Sequence, residues 1–307
     1  MVYIILILSL LGIIFGANNL VDGSSAIARK FNISEFIIGA LIVGVGTSMP
    51  ELVVSLIGTI QNKPDIAIGN VVGSNIFNIL GILGLTALIF PIPIKKENTT
   101  FDVLFCIFIS FLLLILTIGI NDGILTTLGG IVLFAMFILY TIISYKTNKS
   151  SDDIDIKKES TWLSILKIVG GLTILVLSCD YFIDNSIILA KNWGLSDATI
   201  ALTLIACGTS LPELAASTIA AFKKNTQIAL GNIIGSNIFN ISFILGSCSI
   251  ISPLCSTNIT NIDYWLMCVA TIIVFCCGLF GKINRLIGGI MLLIFILYTY
   301  FLINFIN

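Results

Sequence analysis

Two glutamates carry the chemistry of this chain. Glu51 closes the hexapeptide Gly46-Thr47-Ser48-Met49-Pro50-Glu51, and Glu213 closes Gly208-Thr209-Ser210-Leu211-Pro212-Glu213. Of the sixteen acidic residues, these two alone read as lying deep inside apolar runs. A carboxylate at the centre of a bilayer costs about 3 kcal/mol even on mild insertion scales, and residues kept there at that cost usually face a cavity and serve function. A single such glutamate could be a hydrogen-bonding strut between helices. Two at matched positions are poorly explained that way.

The neighbours of each glutamate add oxygen. Proline donates no backbone hydrogen bond to the carbonyl four residues earlier, so Pro50 frees the Gly46 carbonyl and Pro212 that of Gly208. Thr47 and Ser48 lie four and three residues before Glu51 and share its helical face, and Thr209, Ser210 and Glu213 repeat the spacing. Asn70, Ser74 and Asn78, spaced by four, form a stripe on the next helix, as do Asn232, Ser236 and Asn240. Gly69 and Gly73 admit the close approach of another backbone, a role that packing alone can explain. Carboxylates, hydroxyls, amide carbonyls and freed backbone carbonyls suit hard cations. Calcium takes roughly 6 to 8 oxygens in flexible geometry, whereas softer metals prefer the nitrogen and sulfur this site lacks. Two negative charges balance one calcium ion or a set of sodium ions, and competition for shared carboxylates is a physical basis for exchange.

These groups need a scaffold, and composition supplies its class. Apolar residues make up 57 % of the 307 positions and charged residues 10 %, against roughly 25 % charge in a soluble domain. Ten runs are long enough to cross roughly 30 Å of hydrocarbon: residues 2–21, 33–56, 66–90, 101–120, 124–145, 162–182, 198–221, 228–251, 265–280 and 286–305. The first lacks a basic leader and a cleavage site and reads as a retained span. Arg29, Lys30, Lys95, Lys96, Lys146, Lys149, Lys157, Lys158, Lys223, Lys224, Lys282 and Arg285 fall on one side, and Lys63 and Lys191 on the other. Short basic loops stay in the cytoplasm, so both termini are expected outside.

The halves repeat at a constant offset of 162, which also pairs the Gly73–Asn78 segment with Gly235–Asn240, Asp22 with Asp184, and Pro91 with Pro253. Five spans per half is an odd number, so the repeats are expected to be inverted. Discontinuous helices at the two motifs and a substrate site at the midplane follow from that arrangement. The expected fold is thus an all-α polytopic membrane protein: residues 1–145 form the first five-helix repeat, 146–160 a cytoplasmic linker and 161–307 the second repeat. The linker has three aspartates but neither the glycine nor the terminal glutamate of an EF-hand, and reads as solvated chain.

Other classes fit less well. A net charge of −1 with scattered basic pairs gives no reason to bind nucleic acid, and the only partners implied are small cations and membrane lipid. Eight cysteines without a C-x-x-C pair, in a chain without histidine, read as packing residues. A histidine-based catalytic triad is impossible, and matched symmetric motifs suit alternating access better than the unlike acid and base of a hydrolase. Nothing marks the continuous pore of a channel. Asp22 and Asp184, near span ends, read as interfacial caps or gate residues.

At the Gly46–Glu51, Gly73–Asn78, Gly208–Glu213 and Gly235–Asn240 segments the chain resembles the sodium/calcium exchanger branch of the calcium/cation antiporter superfamily, in its prokaryotic form. The resemblance spans nearly the whole sequence and implies ten helices in inverted repeats, no cofactor, no obligatory protein partner and a multi-pass place in the cell membrane. It implies that Glu51 and Glu213, with the carbonyls of Thr47 and Thr209, hold calcium. Sodium would use the Gly44 carbonyl with Thr47, Ser48 and Ser74, and in the mirror position the Ala206 carbonyl with Thr209, Ser210 and Ser236. Asn78 and Asn240 would complete the middle. Many relatives carry aspartate where this chain has Asn240, and potassium-dependent members use an acid there, so Asn240 argues against potassium use. Proton-coupled members usually carry G-N-x-x-E in place of G-T-S-x-P-E, which makes a proton-coupled calcium antiporter the alternative. The linker is too short for the regulatory calcium-binding domains of animal exchangers.

Overall fold

A computed structural model describes residues 2–94, 96–120, 123–147, 160–192, 208–255 and 259–305. They form helices joined by short turns: α1 (Val2–Lys30), α2 (Glu35–Thr47), α3 (Met49–Ile60), α4 (Pro64–Ile89), α5 (Thr100–Gly119), α6 (Thr127–Thr147), α7 (Thr161–Asn192), α8 (Leu211–Phe222), α9 (Thr226–Ile251), α10 (Asn261–Leu279) and α11 (Arg285–Phe305). Eight of them are long and apolar enough to cross a membrane alone. The pair α2 and α3 makes a ninth, bent by 46° at a short break, while α8 is shorter.

Burial sorts these helices into a centre and a rim. In α9, 94 % of the most apolar stretch is buried and in α4 72 %, against 22 % in α7 and 11 % in α11. The rim helices turn Leu8, Leu11, Leu166, Val169, Leu293 and Leu297 outward, with Tyr3, Trp162 and Tyr300 near their ends. Apolar side chains facing out, with aromatics at the ends, are what a lipid surround requires. Around the two central helices, α6 packs on α9 and α11 on α4, with Phe137 5.3 Å from Phe243 and Phe77 5.0 Å from Phe295.

Two short antiparallel ladders tie the connections. β1 (Ile92–Pro93) pairs with β4 (Lys282–Ile283), and β2 (Ile124–Leu125) with β3 (Leu254–Cys255). Each ladder joins a loop from the first half to one from the second.

Several elements depart from the expected spans. Helix α1 runs to Lys30 rather than Val21, and α7 from Thr161 to Asn192. At 1.5 Å per residue, these 29 and 32 residues exceed the roughly 30 Å of a hydrocarbon core. The extra turns carry Asp22, Ser24 and Asp184, polar enough to end an apolar run yet compatible with a helix. The two helices pack at very close range: a Cβ added at Gly16 would sit 2.8 Å from the Gly171 carbonyl oxygen, and one at Gly171 2.8 Å from that of Gly16. Small residues permit such backbone contact. The expected span 198–221 falls partly outside the described residues, as do Lys95, Lys149, Lys157, Lys158 and most of the 146–160 linker.

Two further acids prove to be buried. Asp102 is fully enclosed in α5 and accepts the Ser144 hydroxyl at 2.9 Å, and Asp263 takes the Tyr298 hydroxyl at 2.6 Å while closing a capping box with Thr260. Both lie close to the start of a span. Hydropathy reads such positions as interfacial, because the covering helix comes from elsewhere in the chain.

Candidate functional site

The two motif glutamates sit in the first turns of α3 and α8, which pack against the central helices α4 and α9. Helix α2 widens to i→i+5 turns over Gly39–Gly44 and returns to α-helical form at Val45–Thr47, and Ser48, at φ −82° and ψ 10°, is the joint between α2 and α3. Pro50 occupies the first turn of α3 and Pro212 that of α8, where a missing N–H costs nothing, and each places its glutamate at the start of a helix. Ser210 repeats the joint conformation at φ −88° and ψ 10°.

Each half grips the glutamate of the other. The Ser48 hydroxyl donates to Glu213 Oε1 at 2.9 Å, and that of Ser210 to Glu51 Oε1 at 3.0 Å. Ser210 also lies 3.1 Å from Ser74 Oγ, while the Ser236 hydroxyl donates to the Gly44 carbonyl at 3.1 Å. Thr47 donates to Asn232 Oδ1 at 3.1 Å and Thr209 to Asn70 Oδ1 at 3.3 Å. Glu51, Glu213, Thr47, Ser48, Ser210, Ser236, Asn78 and Asn240 have no solvent exposure, and Ser74 has 5 %.

Asn70 and Asn232 turn out to be brackets. Asn70 Nδ2 donates to the Glu51 carbonyl and to Ser55 Oγ, and Asn232 Nδ2 to the Glu213 carbonyl and to Ser217 Oγ. Their amides are spent on holding the first turns of α3 and α8. The Gly208 carbonyl, expected to be free, accepts the Leu211 N–H at 3.2 Å, because the chain turns tightly before Pro212. The Gly44 carbonyl lies in the same cluster, and Ala206 falls outside the described residues.

What remains defines the chemistry. Among the described residues, Glu51 Oε2, Glu213 Oε2, Asn78 Oδ1 and Asn240 Oδ1 are buried without a hydrogen-bond partner. Buried acceptors are nearly always satisfied, and a buried carboxylate without a counter-charge is costly. Neither glutamate has a basic partner among the described residues. Four unsatisfied oxygens, two of them anionic and all from matched positions, match the needs of a hard cation. Asn75 and Asn237, which accept from Asn240 and Asn78 respectively, escaped the sequence reading although each stands in the repeated Gly-Ser-Asn motif.

A multi-pass helical membrane protein with a broken helix at a buried, oxygen-lined, anionic centre is built as an ion transporter. Comparison with known proteins specifies which one. The family model described as sodium/calcium exchanger protein matches residues 1–146 and 163–304, and the chain belongs to that family of cation antiporters. It is 33 % identical over 293 residues to an uncharacterized membrane protein of Methanocaldococcus jannaschii, covering 95 % of this chain and 94 % of that one. It is 32 % identical to the sodium/calcium exchanger MaX1 of Methanosarcina acetivorans, covering 82 % and 83 %. The solved structure of the sodium-calcium exchanger NCX_Mj, soaked without sodium and calcium, superposes with a TM-score of 0.88 at 32 % identity over 98 % of both chains.

Proposed function

We propose that this protein exchanges sodium for calcium across the membrane, and that both ions bind between Glu51 and Glu213. The carrying observation is the set of four unpartnered buried oxygens, Glu51 Oε2, Glu213 Oε2, Asn78 Oδ1 and Asn240 Oδ1. In this reading calcium takes the two carboxylates with the backbone carbonyls of Thr47 and Thr209. Sodium takes positions beside it, one at the Gly44 carbonyl with Thr47, Ser48 and Ser74, the other at the Ala206 carbonyl with Thr209, Ser210 and Ser236. Two formal negative charges are neutralised by one divalent ion or by monovalent ions sharing the same oxygens, so full occupancy by both is opposed by charge. The likeness to MaX1 and NCX_Mj, both sodium/calcium exchangers, favours this pair of ions.

The transport cycle we propose is alternating access between two inverted five-helix repeats, 1–145 and 161–307, joined by a cytoplasmic linker over 146–160, with ten spans and both termini outside. The ladders support the parity. β1 follows the third span and β4 the ninth, so an even number of crossings separates them, as a shared side demands. β2 and β3 are likewise an even number of crossings apart. Because Ser48 and Ser210 each bind the opposite glutamate, both halves must agree on the state of the centre. An empty pair of facing carboxylates is unfavourable to enclose, so the protein changes its open side when loaded, and the two fluxes are coupled.

The test uses purified protein in proteoliposomes. Calcium uptake is expected when the lumen holds sodium, and none when it holds potassium or when only a pH difference is imposed. Uptake driven by pH alone would assign the protein to proton coupling instead.

A further inference from the structure

Asn75 and Asn237 stand three residues before Asn78 and Asn240 on α4 and α9, and their amides cross between the halves. Asn75 Nδ2 donates to the Asn237 backbone carbonyl at 3.2 Å, and Asn237 Nδ2 to the Asn75 backbone carbonyl at 3.1 Å. A backbone carbonyl only accepts, so each of these side chains must aim its NH2 group at it, and its own oxygen is left facing the opposite way. That oxygen in turn only accepts. Asn75 Oδ1 takes Asn240 Nδ2 at 3.1 Å, and Asn237 Oδ1 takes Asn78 Nδ2 at 3.0 Å. The orientation of two neutral amides is thus dictated, bond by bond, from two peptide carbonyls.

The consequence falls on the ends of the relay. With their NH2 groups committed, Asn78 and Asn240 are left with Oδ1 free, and these are two of the four buried oxygens without a partner. An amide of the opposite orientation would present N–H to a cation and repel it. We propose that Asn75 and Asn237 are positioning residues that fix the amide polarity of Asn240 and Asn78, so that oxygen rather than NH2 faces the ion. This rests on the ion site proposed above. All four asparagines are nine-tenths or more buried, so water does not compete for the relay.

Coupling between substitutions tests it, with calcium affinity of the purified full chain read by titration calorimetry. Asn75→Ala is expected to weaken calcium binding roughly tenfold, the worth of one buried hydrogen bond. In an Asn240→Ala background it should cost nothing further, while in an Asn78→Ala background its full cost should remain. Asn237→Ala should show the crossed pattern, silent with Asn78→Ala and additive with Asn240→Ala. A merely structural role would weaken binding by the same factor in every background, and that result, or no effect of Asn75→Ala at all, overturns the proposal. If Asn78→Ala and Asn240→Ala themselves leave affinity unchanged, the ion site reading fails first. Monodisperse elution and an intact thermal transition verify the fold of each variant. The Asn237 cycle stands alone if Asn75→Ala does not fold.

Discussion

The hydroxyl of Ser48 donates to Glu213 across the interface between the halves, at 2.9 Å, and does not serve Glu51 three residues along its own chain. Ser210 returns the contact to Glu51 at 3.0 Å. Each carboxylate is therefore tuned by the repeat that did not supply it, and neither half holds a finished site.

This exchange of partners predicts equal penalties. Ser48→Ala and Ser210→Ala should each weaken calcium binding roughly tenfold, since each removes one hydrogen bond to a charged group. Titration calorimetry on both variants checks the equality. A loss confined to one of the two would mean that the halves do not contribute alike.

Close packing at Gly235 predicts a stability loss. A Cβ there would lie 2.4 Å from both the Cα and the carbonyl oxygen of Ala40, which are backbone atoms that cannot turn aside. Gly235→Ala must push α2 off α9, at a cost of about 1–3 kcal/mol, and should separate the Gly44 carbonyl from Ser236. Thermal unfolding in detergent is expected to fall, with transport falling alongside. Gly170→Ala is the control, because an added Cβ meets nothing within 4 Å there; its effect should stay within about 0.5 kcal/mol.

The Lys223–Asp22 pair predicts a small effect instead. It joins α1 to the turn between α8 and α9, and Lys223 also donates to the Asn18 carbonyl at 3.1 Å. With side chains 27 % and 53 % exposed, the pair is solvated. Lys223→Met should therefore shift stability by less than about 1 kcal/mol, a difference that thermal unfolding resolves from the Gly235 variant.

Calcium should stabilise the protein through the two glutamates. A ligand at a hundred times its dissociation constant adds about 2.7 kcal/mol to the stability of the state it binds. The melting temperature of the native chain is expected to rise with calcium, whereas that of Glu51→Gln should not respond. A rise of equal size in both would separate calcium binding from the carboxylates.

Much of this was legible in the sequence because the chain states it twice. Glu51 and Glu213, with their serines and threonines, stand out because hexapeptides that differ only at Met49 and Leu211 break two apolar runs. The break of α2 and α3 at Ser48 was foreshadowed by Gly44, Gly46 and Pro50. The crossed bonding was not. Whether Ser48 binds its own Glu51 or the distant Glu213 depends on how the halves dock, which spacing within one helix does not encode. The same holds for Asn75 and Asn237, whose partners come from the other half, and for Asp102, whose cover comes from Ser144 on α6. The wide turns at 39–44, 77–83 and 240–245 left no mark either, since an i→i+5 turn demands no particular residue.

The central claim, that Glu51 and Glu213 bind the exchanged ions, is tested most directly by sodium-driven uptake of radioactive calcium into proteoliposomes carrying the native chain, Glu51→Gln or Glu213→Gln. Uptake by the native chain and its loss by two orders of magnitude or more in each variant, on the scale of about 3 kcal/mol for a buried charge left unmatched, is the predicted result. Undiminished uptake by either variant at equal reconstitution would contradict it.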